Sequence, residues 1–268
     1  MPLFYTSELF NGNFNFTEAV YKYHLNRHLQ NKSFCDIEHG RKVLSSAREV
    51  DVYGSLYAAS HEQKLNEAYD ALNLSRLRGQ IIETISYGCG MATDTNVLIS
   101  YLMRHNINLC LERLTLIEPS QVAIDCGVKH IHNALLNPHK SIAIKTHAKY
   151  LEQLTSEDLT FTNPNAKLHV FSNILDVAQV DLVRLASLIA TNISGHNYFV
   201  CVSPNNPGTY DGKDRIDRFH SLLAQELKLS DININDQPTQ VASYNHKRKQ
   251  VEMSNVTRYH RIFHAYAG

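Results

Sequence analysis

The 268-residue chain has no excess of charge of either sign, since 26 lysines and arginines balance 26 aspartates and glutamates. It therefore lacks the global field that would draw it to nucleic acid or to an acidic membrane, and only a local basic patch could serve such a partner. No segment approaches the roughly 18 apolar residues that a membrane helix needs. The stretch MPLFYTSELFNGNFNF at the amino terminus has neither a basic start nor a continuous apolar run, so it does not read as a secretion signal. Cysteine is sparse. Cys35, Cys89, Cys110, Cys126 and Cys201 are odd in number and widely spaced, with no CxxC pair to indicate a metal or redox site. Such usage fits buried thiols in a reducing compartment. A cytoplasmic protein without membrane attachment is the expectation, and the sequence does not specify an oligomeric state.

Fifteen histidines are present, but no HExxH or comparable acidic context surrounds them. His24 and His28, His130 and His132, and His260 and His264 are the close pairs. All read as solvated or capping side chains, and no metal is expected.

What is present is an alternation. Residues 17 to about 78 read as helical: TEAVYKYHLNRHL and SLYAASHEQKLNEAYDALNL repeat apolar and aromatic residues at three and four spacing, with Thr17 and Ser60 as local caps or turns. After Gly79 come IIETISY, RLTLIEP, SIAIKTH, AKLHVFSN and NYFVCVSP, short β-rich runs each followed by a helical stretch. That pattern predicts βαβ units and a parallel sheet. PTQVASY and NVTRYHRIFHAYA, with NHKRKQ near their junction, predict an antiparallel hairpin at the sheet edge. The fold class is thus α/β, with a helical extension or substrate cap over residues 1–78 and a doubly wound domain over residues 79–268. No internal repeat or low-complexity segment interrupts this plan.

In an open parallel sheet a ligand lies at the carboxyl ends of the strands, so candidate residues follow strands. In SYGCGMATD, Gly88 and Gly90 permit positive φ and close approach to the main chain, and the helix beginning near Ala92 or Thr93 presents free amides. The glycines could instead serve only a tight βα turn. In LIEPS, Glu118 can accept hydrogen bonds from both hydroxyls of a ribose, or act as a capping carboxylate; Pro119 and Ser120 then open the next helix. HVFSNILDV places Ser172, Asn173, Ile174 and Asp176 at the end of an apolar strand, although Asp176 could cap the following helix. KTHAKYLEQL offers Thr146 and His147. The loop in VSPNNPGTYDGKDR carries Ser203, Asn205 and Asn206, followed by Arg215 and Arg218, which could meet an anion or stay solvated. In the helical extension, Tyr53, Tyr57, His61 and Lys64 form one stripe at spacings of four, four and three. It reads as a lid for a planar or anionic substrate or, with greater weight, as an amphipathic face packed on the sheet domain. Cys201 lies within a strand with no histidine nearby in sequence, and buried packing outweighs a nucleophilic role.

The order of these motifs resembles the class I S-adenosylmethionine-dependent methyltransferases over roughly residues 79–268. The resemblance implies a Rossmann-like, mostly parallel seven-stranded sheet with a terminal antiparallel hairpin, and S-adenosylmethionine as cofactor. Ser86, Tyr87, Gly88, Cys89, Gly90 and Thr93 would hold its methionine and ribose part, Glu118, Pro119 and Ser120 the ribose hydroxyls, and Thr146 and His147 the adenine. Ser172, Asn173 and Ile174 would face the methyl group. Tyr53, Tyr57, His61, Lys64, Asp176, Ser203, Asn205 and Asn206 would contact a small-molecule acceptor. Two departures stand out: Ser86 replaces the usual acid and cannot offer a negative charge to the cofactor's ammonium, and Ala92 replaces a third glycine. Glu83 is too far back on the same strand to substitute directly. No catalytic residue is diagnostic, because methyl transfer depends mainly on positioning and on a base where the acceptor must lose a proton. Two alternatives remain at this level. One is a methyltransferase-like binding or scaffolding module, favoured by Ser86. The other is a nucleic-acid-modifying enzyme, motivated by HKRKQ over residues 246–250 with Arg258 and Arg261, although no NPPY-type signature follows the fourth strand.

Overall fold

A computed structural model describes residues 4–27, 33–137, 139–162, 165–206, 210–245 and 250–268. The amino-terminal third is helical but broken into pieces: α1 (Thr6–Leu9), a π turn over Thr17–Tyr21 running into α2 (Lys22–Arg27), a 3-10 segment over Phe34–Gly40, and α3 (Ala47–Leu72). The long helix α3 starts where the Ser46 side chain accepts from Glu49 N, and it stops at Asn73, whose left-handed φ of 55° turns the chain out of the helix. Ser60 lies inside α3 and bonds back to Tyr57 O, so it does not cap a helix, and Thr17 opens the π turn.

The sheet then follows. Its first half holds β1 (Ile81–Tyr87), α4 (Thr93–Arg104), β2 (Cys110–Ile117), α5 (Gln121–Ala134), β3 (Ala143–His147) and β4 (Ala166–Ser172). Its second half holds α6 (Leu182–Asn192), β5 (Gly195–Asn206), the short β6 (Tyr210–Asp211), α7 (Gly212–Glu226), β7 (Lys228–Asn235), β8 (Thr239–Asn245), β9 (Gln250–Val256) and β10 (Arg258–Ala267). The strand order is β3-β2-β1-β4-β5-β10-β7, with β6 pairing β5 off that path. β1 to β5 are parallel, and β10 runs antiparallel to both β5 and β7. The order reverses between β1 and β4, which is where such a sheet opens a crevice at its carboxyl edge.

Two sequence expectations are corrected. Among the described residues, β3 is followed by a 3-10 turn over Leu151–Gln153 and not by a helix. The expected hairpin partners pair with each other only at one end: PTQVASY lies in β8, whose Thr239 and Gln240 face Val256 and Asn255 of β9 in a separate two-stranded arm, while the rest of the second run is β10, between β5 and β7. The sequence reading did not assign β7: in KLSDININ only Ile232 and Ile234 alternate with polar residues, Leu229 is out of step with them, and both isoleucines are exposed at the sheet edge.

Alternation of side chains across the strands builds two cores. Leu168, Val170, Val200 and Val202 face α3, α4, α5 and the amino-terminal helices, with Phe10, Phe16, Leu65 and Tyr69 completing that layer. Tyr87, Phe171, Phe199 and Phe263 face α6 and α7 on the other side. The helical extension thus shares one core with the sheet. All five cysteines are unpaired, and among the described residues no helix is long and apolar enough to cross a membrane.

Candidate functional site

The turn after β1 is built for close approach. Gly88 and Gly90 have φ of 64° and 53°, and Ala92 joins them at 53°. A Cβ on Gly88 would fall 2.6 Å from Ile174 Cγ1, whereas one on Gly90 would meet only the Tyr53 ring, at 3.8 Å. Gly88 is therefore required by packing as well as by φ, and Gly90 leaves open space in front of the main chain. Cys89 is buried and its amide donates to Ile117 O at 3.0 Å, which pins the turn to β2. α4 begins at Ala92 with no side-chain cap. Its first hydroxyl, Thr93 Oγ1, is buried without a hydrogen-bond partner.

Ser86 is fully buried and donates to the Asp94 carboxylate from the first turn of α4. Asp94 also accepts from Thr95 N at 2.7 Å, and its burial pushes its carboxyl up to about 6 despite those bonds. Its charge reaches Tyr53 and Cys89, whose ionisation it opposes. The sequence reading missed Asp94 because it sits eight residues past the strand position where an acid was sought. Tyr87 turns the other way: its ring stacks on Phe171 at 4.3 Å and its hydroxyl meets His169 Nδ1 at 3.1 Å, on the far face of the sheet.

Glu118, at the end of β2, bridges two elements. One oxygen accepts from Gly90 N and the other from Ser120 N, each at 3.1 Å. Burial raises its carboxyl against those two amides. The carboxylate thus ties the glycine turn to the start of α5 while lining a cavity of about 200 Å³ with Gly88, Gly90, Pro119, Ser172, Asn173 and Ile174. Tyr150, Leu151 and Glu152 close that cavity on the β3 side. Thr146 and His147 are not among its lining residues: Thr146 is exposed on β3, and His147 Nδ1 lies 3.0 Å from Asp158. Ser120 is also outside it, since its hydroxyl accepts from Ala123 N at 3.1 Å as the cap of α5 and donates to Leu44 O.

A second cavity of about 300 Å³ adjoins the first, and Tyr53, Asn173 and Val177 line both. The stripe on α3 forms its wall. Tyr53, Tyr57 and His61 stand at ring separations of 5.2 and 5.7 Å, and Lys64 follows. Lys64 is only 2% exposed, burial drops its ammonium to about 8, and Nζ donates to Asn173 Oδ1 at 2.8 Å. Burial also holds His61 neutral, well below the usual histidine range. Asn173 itself takes a left-handed φ of 56°, donates its amide to Val202 O at 2.7 Å and donates Nδ2 to Ser172 Oγ. Asp176 lines the same cavity and accepts from the buried Ser203 hydroxyl at 3.0 Å, so it does not cap a helix; α6 is capped by Asp181. Ser203 and Asn205 are not lining residues, although Pro204 between them is. Asn206 pairs with Tyr210 through the main chain, and its side chain lies outside the described residues. The β8–β9 arm supplies Val241, Ser254 and Val256 as the opposite wall.

Several of the other sequence candidates are engaged within the fold. Arg215 donates to the carbonyls of Leu175, Val177 and Val180, and Cys201 is fully buried in the core. Glu83 pairs with Arg113 at 2.7 Å, at the other end of β1. Of the basic residues considered for nucleic acid, Arg258 is paired with Glu67, Arg261 with Asp217 and Asp231, and residues 246–249 lie outside the described residues. His24, His130 and His260 are buried rather than solvated.

A scan of protein-family models and a search of curated proteins find no match to the chain. Among solved structures, it is similar to a SAM-dependent methyltransferase of Leishmania major, with a TM-score of 0.47 and 11% identity over 92% of this chain and 90% of that one. It is also similar to the N-methyltransferase NodS from Bradyrhizobium japonicum WM9, with a TM-score of 0.45 and 11% identity over 77% of this chain and 97% of that one. By its own strand order, with β1 to β5 parallel and β10 inserted antiparallel between β5 and β7, the chain has a Rossmann-like α/β fold.

Proposed function

We propose that the chain is an S-adenosylmethionine-dependent methyltransferase acting on a small molecule. One observation carries this reading: the cavity over the glycine turn and Glu118 and the cavity walled by α3 meet at Tyr53 and Asn173. A cofactor and an acceptor can therefore touch while each keeps its own walls.

The residues present fit the cofactor. Gly90 leaves the main chain open to it and Glu118 matches the ribose hydroxyls, while the buried Thr93 hydroxyl, without a partner, lies behind the glycine turn and lines neither cavity. Asp94, held by Ser86 at the first turn of α4, lines neither cavity, but it carries a negative charge close to Tyr53 and Cys89 that would attract an ammonium bound there. When bound, the cofactor supplies an electrophilic methyl group on a sulfonium. The chain's part is to hold the acceptor against it and to manage the acceptor's proton. Tyr53 and Tyr57 give a planar acceptor aromatic surfaces to lie against. Lys64, with its ammonium near 8, is partly neutral close to neutral pH and can hold or take the acceptor's proton at Nζ. His61, neutral throughout that range, adds a hydrogen-bonding group without a charge.

A folded sample bound by S-adenosylhomocysteine in calorimetry, with binding lost in Gly90→Arg, would support this reading. Full affinity in that variant would remove the assigned pocket. The scaffolding alternative expects no cofactor binding at all.

A further inference from the structure

Away from both cavities, three side chains from α2 and α5 converge. His24 Nε2 stands 3.0 Å from His130 Nε2 and 3.8 Å from Cys126 Sγ, and one ligating atom from each of the three lies within 4.8 Å of the others. His24 and His130 are 1% and 4% exposed, while Cys126 is half-buried. Behind His24 sits a carboxylate: Nδ1 lies 2.7 Å from Asp51 Oδ1, and Asp51's other oxygen accepts from Arg27 Nε at 3.1 Å. The surface of α3 is cut away to seat the ring, since a Cβ on Gly54 would fall 2.7 Å from His24 Cγ.

We propose that His24, Cys126 and His130 form a binding site for Zn²⁺, with water as the fourth ligand. In a tetrahedral zinc site the usual metal–ligand lengths place two imidazole nitrogens roughly 3.3 Å apart and a nitrogen and a sulfur roughly 3.6 Å apart. The His24–His130 and His24–Cys126 separations are within a few tenths of an ångström of these, and the His130–Cys126 pair lies within 4.8 Å. Two imidazoles and a thiol select zinc over the oxygen-seeking cations. Asp51 supplies the outer contact such sites use: with the His24 proton on Nδ1 and shared with the carboxylate, the Nε2 lone pair points at His130 and Cys126. On binding, His130 carries its proton on Nδ1, and the Cys126 thiol proton leaves to solvent, so the sulfur coordinates as thiolate with no change of oxidation state. The competing account is a plain hydrogen bond between the two Nε2 atoms, in which the sulfur has no part.

The consequence reaches the cavity. Asp51 lies two residues before Tyr53 on α3, so the metal would clamp α2 and α5 to the helix that forms the cavity wall.

The test uses the full, tag-free chain stripped by a chelator and titrated with Co²⁺ and then Zn²⁺. The proposal expects one Co²⁺ per chain, a thiolate-to-cobalt charge-transfer band, displacement by Zn²⁺ and a raised thermal midpoint. Cys126→Ser should abolish the band, and His130→Gln should weaken Zn²⁺ at least tenfold, each in protein shown to be folded by circular dichroism. Should either variant fail to fold, alkylation mapped by mass spectrometry on the wild-type chain decides: Zn²⁺ should protect Cys126 and leave the exposed Cys35 reactive. A folded wild-type chain without the band, unchanged Zn²⁺ affinity in both variants, or Cys126 unprotected by Zn²⁺ would overturn the proposal.

Discussion

Replacing Asp94 with asparagine tests the site at its most unusual feature. The carboxylate is 2% exposed, and its rise from the ordinary 3.8 to about 6 corresponds to about 3 kcal/mol of preference for the neutral form in the folded chain. The sign follows from linkage. A group raised on folding contributes stability that is fully present below its unfolded value and is lost as pH climbs through the folded value. In the wild type this contribution is complete below pH 3.8 and gone above about pH 6. Asparagine keeps the shape without the charge, and the Ser86 hydroxyl can rotate to accept from its Nδ2. Urea unfolding of both proteins from pH 4 to 8 should therefore give a gap that widens in favour of the variant, from near zero at pH 4 to as much as about 3 kcal/mol at pH 8. Other acids, such as Asp158, whose carboxyl Lys149 and Thr155 hold down at about 2 against burial, act on both proteins alike and cancel in the difference. The same variant should bind S-adenosylhomocysteine roughly 10- to 100-fold more weakly, the scale of a lost hydrogen bond to a charged group. A gap that stays flat with pH would refute the buried-charge reasoning. A widening gap with unchanged ligand affinity would refute the attraction to the ammonium.

Gly88→Ala combines a positive φ with a Cβ driven into Ile174; thermal melts should show a loss of about 1–3 kcal/mol together with lost ligand affinity. Glu118→Ala should weaken adenosine-containing ligands roughly 10-fold or more, because it removes a ribose contact and frees Gly90 N and Ser120 N at once; calorimetry with unchanged affinity would reassign the carboxylate to tying the turn. Lys64→Met removes a buried ammonium whose folded value, about 8, lies below the ordinary 10.5. Wild-type stability should rise by about 3 kcal/mol between pH 8 and 10.5 and the variant's should not, while turnover should lose its limb near pH 8.

How far the sequence carries depends on whether a residue's role is local. The βα alternation after Gly79, the glycine turn and Glu118 are legible because strand, turn and helix signals sit side by side in the chain. Edge strand β7 was not, since its alternation in KLSDININ is limited to Ile232 and Ile234, which face solvent. The α3 stripe shows the limit of periodicity: Tyr53 to Lys64 have the spacing of a buried face, and only the placement of the β8–β9 arm opposite them makes the cavity. His147 looked suitable by position after β3, but Asp158 holds it elsewhere. The contact of Asp94 with Ser86 is local, eight residues along the chain, whereas the His24–Cys126–His130 cluster needs the packing of α2 on α5: Cys126 and His130 stand four apart on one helix, but nothing in the sequence brings His24 to them.

Titration of the purified, folded chain with S-adenosylmethionine and S-adenosylhomocysteine, followed by calorimetry, tests the central claim most directly. The account predicts a single site at micromolar affinity that disappears in Gly90→Arg. No binding by the folded wild-type chain would contradict it.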